Sequence, residues 1–324
     1  MKLKIDGFIL ALFCFIAVAY FFPQLYLWEE GTAIAWITSV GVSLIFFFYG
    51  LKLSFQQLKA GLRNWRLHLL VQTVTFVLFP LLLLPFYPFI QTQLQGDFWL
   101  SFFFLAALPS TVSSSVVMVS IARGNVPAAI FNASISGLIG VVVTPLWMQF
   151  FLDFGDVDIL NDVYWGLIKE IILPVIIGLL LQPYFGKWVW NHNRQLGLFD
   201  KSIILLIVYS SFAESFVSGI FASTGSFYLL WISVGVVFLF VWVYGLIYFL
   251  AKHVFKFSKE DQITALFCGS KKSLTHGSVF GKFLFAHSPS AGLYFLPLML
   301  FHAFQILVVT VIAQRYDKEG KDVI

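Results

Sequence analysis

The chain has 324 residues, 60% of them hydrophobic and 11% charged, with a formal net charge of +4 and a mean hydropathy of +0.90. A water-covered globule carries about 25% charged residues, so this composition excludes one and implies lipid as the solvent. The basic residues fall almost entirely in a few short stretches between apolar runs, which excludes a nucleic-acid surface and reads as membrane topology.

Only helices and closed barrels satisfy every backbone polar group in lipid. The apolar runs here exceed the roughly ten residues of a barrel strand and do not alternate, which predicts an all-α integral membrane protein. In chain order the runs fall near 7–22, 34–51, 67–90, 97–122, 126–151, 162–182, 201–219, 227–250, 261–286 and 291–313, giving ten transmembrane helices. The first follows Lys2 and Lys4 in the order of a signal peptide, but it lacks a small-x-small cleavage pattern. Pro23 and Trp28 lead it into further apolar chain, so it reads as an uncleaved first helix.

The connections alternate in charge. Lys2 and Lys4, then Lys52, Lys59, Arg63 and Arg66, then Arg123, then Lys187, Arg194 and Lys201, then Lys252, Lys256 and Lys259, and finally Arg315, Lys318 and Lys321 mark one side. The opposite connections hold Glu29, Glu30, Asp97, Asp153, Asp156, Asp158 and Asp162 and no Lys or Arg. Positive residues stay inside, so both termini are expected in the cytoplasm. The compact chain with short tails fits a bacterial inner membrane. The basic stretch from Gln56 to His68 reads as a connecting helix or as a segment lying on anionic lipid.

The two halves, 1–155 and 156–324, share one anatomy, and five spans per half require the second to be inverted relative to the first. The fourth and ninth spans are interrupted at matching places. Pro109-Ser110-Thr111-Val112-Ser113-Ser114-Ser115 breaks one, and Cys268-Gly269-Ser270-Lys271-Lys272-Ser273 breaks the other. Unpaired backbone at depth is tolerated only beside protein or a wet cavity, and paired broken helices in inverted halves point to a solute site at the midplane. Half-helix N-termini suit an anion and half-helix C-termini a cation. The expected function is therefore secondary transport of a small organic solute.

Further polar residues lie within spans: Gln72, Asn132, Ser134, Ser136, Glu214, His276, His302 and Gln305. Asn132 and Ser136, four residues apart, share a helix face. Each is either part of a solute path or an interhelical hydrogen-bond partner. Lys169 and Glu170 are expected to pair locally. Cys14 and Cys268 both lie in apolar runs, so neither a disulfide nor a metal cluster is expected, and no cofactor.

The segments Leu108 to Met118, Ala122-Arg123-Gly124-Asn125-Val126, Thr144-Pro145-Leu146 and Gly269 to Ser273 resemble the bile acid:sodium symporter family, especially its divergent bacterial and eukaryotic branch. The resemblance covers essentially the whole chain. It implies two discontinuous helices crossing at the centre, a core of 67–151 and 227–313 and a panel of 1–66 and 156–226. It also implies a small organic anion as solute.

The resemblance fails where sodium-driven members hold their ion. Their Ser-Asn falls at Ser115-Val116, their Glu and Gln at Phe267 and Lys271, and the hydroxyls of their fifth span near Ala129 and Ala133. A vestigial sodium site near Gln72 and Ser115 is what remains, too poor in oxygen ligands for the ion. The Lys271 ammonium could replace sodium at the half-helix C-termini, meet a substrate carboxylate, or shed its proton and couple transport to protons. Which of Lys271 and Lys272 faces the crossing stays open, as does coupling to sodium, to protons or to neither. Two rival functions stay open as well. One is a solute-binding sensor without transport; the other is an intramembrane enzyme built on a serine of Ser113 to Ser115 with Lys271.

Overall fold

The computed structural model describes residues 7–27, 32–53, 64–111, 113–152, 157–217, 219, 226–286 and 288–321. The charged residues Lys2, Lys4, Glu29, Glu30, Lys59, Arg63, Asp153 and Asp156, the Gln56–Arg63 part of the basic stretch, and Val112 lie outside them. So do the side chains of Ser113, Asp158 and Asp162.

The described residues are helical, without a strand: α1 (Gly7–Phe21), α2 (Gln24–Leu27), α3 (Thr32–Lys52), α4 (Trp65–Phe89), α5 (Gln93–Ala107), α6 (Ser113–Ile121), α7 (Val126–Met148), α8 (157–191), α9 (Asn193–Val217), α10 (226–254), α11 (Lys259–Gly269), α12 (Leu274–Leu284) and α13 (Ala291–Lys321). Seven of these hold stretches long and apolar enough to cross a membrane, in α3, α4, α7, α8, α9, α10 and α13. Their outer faces leave Trp36 69%, Phe89 75% and Tyr184 81% exposed, surface that lipid and its interface cover. The protein is thus a multi-pass membrane protein.

The two interrupted spans are the exception. They fall into half-helices of 15 and 9 residues (α5, α6) and of 11 and 11 residues (α11, α12). No half approaches the roughly 20 residues needed to cross alone.

Contacts divide the chain into two compact units: 1–54, 152–227 and 278–295 form the first, and 55–151, 228–277 and 296–324 the second. In the first unit α3 and α8 touch through glycine. A Cβ on Gly50 would meet the Val175 carbonyl, and one on Gly178 the Phe47 carbonyl, so only hydrogen fits at either position. Tyr209 on α9 donates to the Phe22 carbonyl at 2.8 Å and fixes the end of α1. Glu170 does not pair with Lys169. Neighbouring residues on a helix point apart, and Glu170 instead receives the Lys282 ammonium of α12 at 2.9 Å, which also donates to Ser39 at 2.7 Å.

In the second unit α4 is not a regular helix. Residues Val74–Leu78 form a π-turn in which the Phe79 amide donates to the Val74 carbonyl. The next position is Pro80, which has no N–H. The carbonyls of Thr75 and Phe76, five and four residues before it, therefore lose their donors within the helix. The Trp147 indole takes up Phe76 at 2.7 Å; Thr75 points into the site described below.

The Ala122–Val126 segment also has a local reason. It is the sharp turn from α6 to α7, with Arg123 at φ 60° and Gly124 so close to Ile263 and Val119 that a Cβ would lie 2.8 Å from each. Asn125 then caps α7 by accepting from the Ala128 amide at 3.2 Å, while its own side-chain amide donates to Asp261 at 2.8 Å. Asn64, ahead of α4, donates to the other Asp261 oxygen at 2.6 Å. One exposed-end carboxylate thus ties the starts of α4, α7 and α11.

Candidate functional site

The two broken stretches meet in the second unit. Each half-helix ends with carbonyls that no later turn can satisfy, and the opposite break supplies the donors. Toward α11, Ser110 donates its hydroxyl to the Cys268 carbonyl, and Ser115 donates to the Phe267 carbonyl at 3.1 Å. Ser270 closes its own helix by donating to Leu266 at 2.6 Å. In return the Ser273 amide donates to the Pro109 carbonyl at 2.9 Å. Around these, the Ser110 amide donates to the Ser136 hydroxyl at 3.0 Å, and Thr111 and Ser115 share a hydrogen bond of 2.8 Å.

The end of α5 is served by a charge instead of hydroxyls. The Lys272 ammonium donates to three carbonyls: Ala106 at 2.6 Å, Leu108 at 2.7 Å and Thr75 at 2.8 Å. The first two are orphans of the α5 terminus, and the third is the carbonyl that Pro80 releases. Thr144 takes the remaining one, Ala107, at 2.8 Å. Lys272 has 0% exposure, and its ammonium lies 4.1 Å from the centre of the Phe79 ring. Three aligned carbonyl dipoles, the negative end of α5 and an aromatic face stand where a carboxylate partner would otherwise be needed. Gln305 of α13 holds the backbone at this point from both sides. It accepts from the Lys272 amide at 2.9 Å and donates to the Lys272 carbonyl at 2.8 Å.

Lys271, 1% exposed, points elsewhere, and its ammonium donates to the Ser114 hydroxyl at 3.1 Å. Sequence reasoning offered neutralisation of the half-helix ends as one role for Lys271 and left open which of the two lysines faces the crossing; in the structure the ammonium among those carbonyls belongs to Lys272. Spacing could not distinguish them, because adjacent residues in a non-helical loop have no periodicity to say which way they face. Ser114 in turn donates to Thr111 at 2.9 Å.

Of the expected residues, Ser110, Thr111, Ser114, Ser115, Ser136, Ser270, Lys271, Lys272, Ser273 and Gln305 join these bonds directly. His276 stays beside its helix start, 2.9 Å from the Ser273 hydroxyl through Nδ1, and His302 lies 3.1 Å from Gln305 through Nδ1. Gln72 and Asn132 form a separate pair, in which Gln72 donates to both oxygens of Asn132 at 3.2 Å. Gln72 Oε1 is buried and accepts no hydrogen bond among the described residues. Gly269 brings its backbone against Ile247, which a Cβ would approach to 3.0 Å. Sequence reasoning missed Thr75, Pro80 and Asp261, and it met Thr144 only as part of a resembling segment, without a role. Pro80 was the available signal, since a proline inside an apolar run frees the carbonyls four and five residues earlier.

The chain matches known proteins over nearly its whole length. A match to the SBF-like CPA transporter family spans residues 6–318. The chain is 40% identical over 318 residues to an uncharacterized protein of Pseudomonas aeruginosa, covering 98% of this chain and 94% of that protein. It is 35% identical over 318 residues to "Putative symporter YfeH" of Escherichia coli, covering 97% and 94%. It is 29% identical over 326 residues to sodium/bile acid cotransporter 7-B of Xenopus laevis, covering 96% and 91%. A membrane-embedded helical protein with two broken helices meeting at a buried polar centre, matched over nearly its full length, belongs to the SBF-like CPA transporter family.

Proposed function

We propose that the protein is a secondary transporter that carries a small organic anion by alternating access, with Lys272 as a built-in cation at the crossing of its broken helices. The observation that carries this reading is the coordination of the Lys272 ammonium by the carbonyls of Thr75, Ala106 and Leu108 at 2.6–2.8 Å. Three convergent carbonyls at a half-helix C-terminus are a cation site, and a covalently attached cation fills it. A mobile sodium ion is then not needed to assemble the crossing. The names of the relatives, a symporter and a bile acid cotransporter, support transport of a small solute.

Anion binding is assigned to the other lysine. Lys271, Ser114 and the N-terminal end of α6 lie together, and an ammonium beside a positive helix end favours a carboxylate or sulfate. The remaining site assignments, Ser110, Thr111, Ser113, Ser115, Ser136, Gly269, Ser270, Ser273, Gln305, Gln72, Asn132, His276 and His302, are proposed as the frame that holds these two lysines apart.

The proposed topology is ten transmembrane helices in two inverted repeats, 1–155 and 156–324. Its core is 67–151 and 227–313, and its panel is 1–66 and 156–226. Both termini lie in the cytoplasm of a bacterial inner-membrane protein. Charge alternation along the sequence supports it. The test is uptake of a panel of labelled organic anions, a bile acid among them, into proteoliposomes. Saturable uptake of at least one anion above protein-free vesicles is expected; uptake of none, with cations or neutral solutes carried instead, would overturn the reading.

A further inference from the structure

The first unit contains a cavity of about 270 Å³ that the crossing does not use. Its polar lining comprises Tyr26 of α2, Thr32 and Thr38 of α3, Ser210, Ser211 and Glu214 of α9 and Lys282 of α12. The direction of the hydrogen bonds in this wall decides what it can bind. Thr38 spends its hydroxyl proton on its own helix, at 2.9 Å from the carbonyls of Ile34 and Ala35. Ser210 does the same toward Ile207 at 2.9 Å. Tyr26 directs its proton to Glu214 at 3.4 Å. These three hydroxyls keep their lone pairs and have given away their donors, so they present acceptors to the cavity.

Charge points the same way. Lys282 is paired at 2.9 Å with Glu170, so these two cancel, and Glu214 adds a carboxylate to the lining. The two charged side chains that line the cavity, Glu214 and Lys282, cancel formally; Glu170, which neutralises Lys282 from outside the lining, leaves the Glu214 carboxylate as the excess charge of the three. Ile207, Phe285 and Ala286 add apolar side chains to the lining. The volume is below the roughly 300–1,000 Å³ of sites for drug-sized ligands, which leaves room for a short solute only.

We infer that this cavity binds a small organic ammonium, its N–H donors directed to Glu214, Thr38 and Ser210 and its alkyl part against Ile207 and Phe285. The site lies in the first unit, separate in its residues from the anion assignment, and does not depend on it.

The test uses the full chain in lipid nanodiscs and reads its thermal unfolding midpoint against n-butylammonium, with n-butanol and butyrate as controls of matched size. Ligand that binds the folded state raises the midpoint with concentration. A saturable rise with n-butylammonium alone is expected in the wild type, and loss of that rise in Glu214→Gln, which keeps an oxygen for Tyr26. Ala286→Leu, which fills the cavity from its exposed rim, is expected to abolish the rise too, and decides alone if Glu214→Gln does not fold. No rise in the wild type, an equal rise with butanol or butyrate, or a rise that persists in Ala286→Leu would overturn the inference.

Discussion

The Lys272 ammonium donates at 2.8 Å to the carbonyl of Thr75, a residue 197 positions earlier in the chain. Two features that look unfavourable in isolation explain each other here. A proline inside an apolar helix strands backbone carbonyls, and a lysine with 0% exposure strands a charge. Together they form a satisfied pair, reinforced by the orphan carbonyls at the end of α5.

Lys272→Met is therefore expected to destabilise the folded protein. Each buried carbonyl left without a donor costs about 1–3 kcal/mol, partly offset because an ammonium is no longer buried. A net loss on the order of 2 kcal/mol, read as a lowered thermal midpoint in detergent or nanodiscs, is the expected outcome. An unchanged midpoint would show that the three bonds do not contribute.

Lys272→Ala leaves the carbonyls in place and empties the centre. Sodium is then expected to raise the midpoint of this variant in a saturable way and to leave the wild type unaffected, since a free cation takes the vacated position. Potassium or choline at equal ionic strength separates site binding from salt effects. A wild type that responds to sodium as strongly as the variant would contradict the assignment.

Pro80→Ala tests the same cage from its other side. Alanine restores an N–H that pairs with Phe76 and draws Thr75 back into a regular helix. The expected result is unchanged or higher stability, because an interior proline costs a helix roughly 3 kcal/mol, together with a fall in uptake. Loss of stability and uptake in parallel would mean that the proline serves packing alone.

Gly178→Val should destabilise strongly, by about 1–3 kcal/mol or more, because its Cβ would run into the Phe47 carbonyl. Gly197→Ala on α9 is the matched control. Nothing lies within 4 Å of its Cβ position, and the change is expected to stabilise by roughly 0.5–1 kcal/mol. Thermal midpoints of the two variants, measured side by side, check both.

Long apolar runs, the two breaks and the residue types at the crossing were legible in the sequence, because hydropathy and helix-breaking chemistry act locally. Which lysine enters the carbonyl cage was not, since Lys271 and Lys272 differ only in how the four residues between Gly269 and Leu274 are threaded. The π-turn at Val74–Leu78 was equally hidden, as its register is set by the long-range contacts of Thr75 with Lys272 and of Phe76 with Trp147. The Glu170–Lys282 pair joins positions 112 apart and displaced the local partner that adjacency had suggested. Ser110, Ser115 and Gln305 were found by type, and their partners only by structure.

A fixed lysine in place of a mobile coupling cation is tested most directly by Lys271→Gln and Lys272→Ala, which divide the two lysine roles within one assay. Uptake of labelled organic anions into proteoliposomes is measured for wild type and both variants, with and without an imposed sodium gradient. Expected are wild-type uptake that is indifferent to sodium, weakened apparent affinity for the anion in Lys271→Gln, and loss of sodium-free uptake in Lys272→Ala. Steep sodium stimulation of the wild type, or full uptake by Lys272→Ala without sodium, would contradict this role for Lys272.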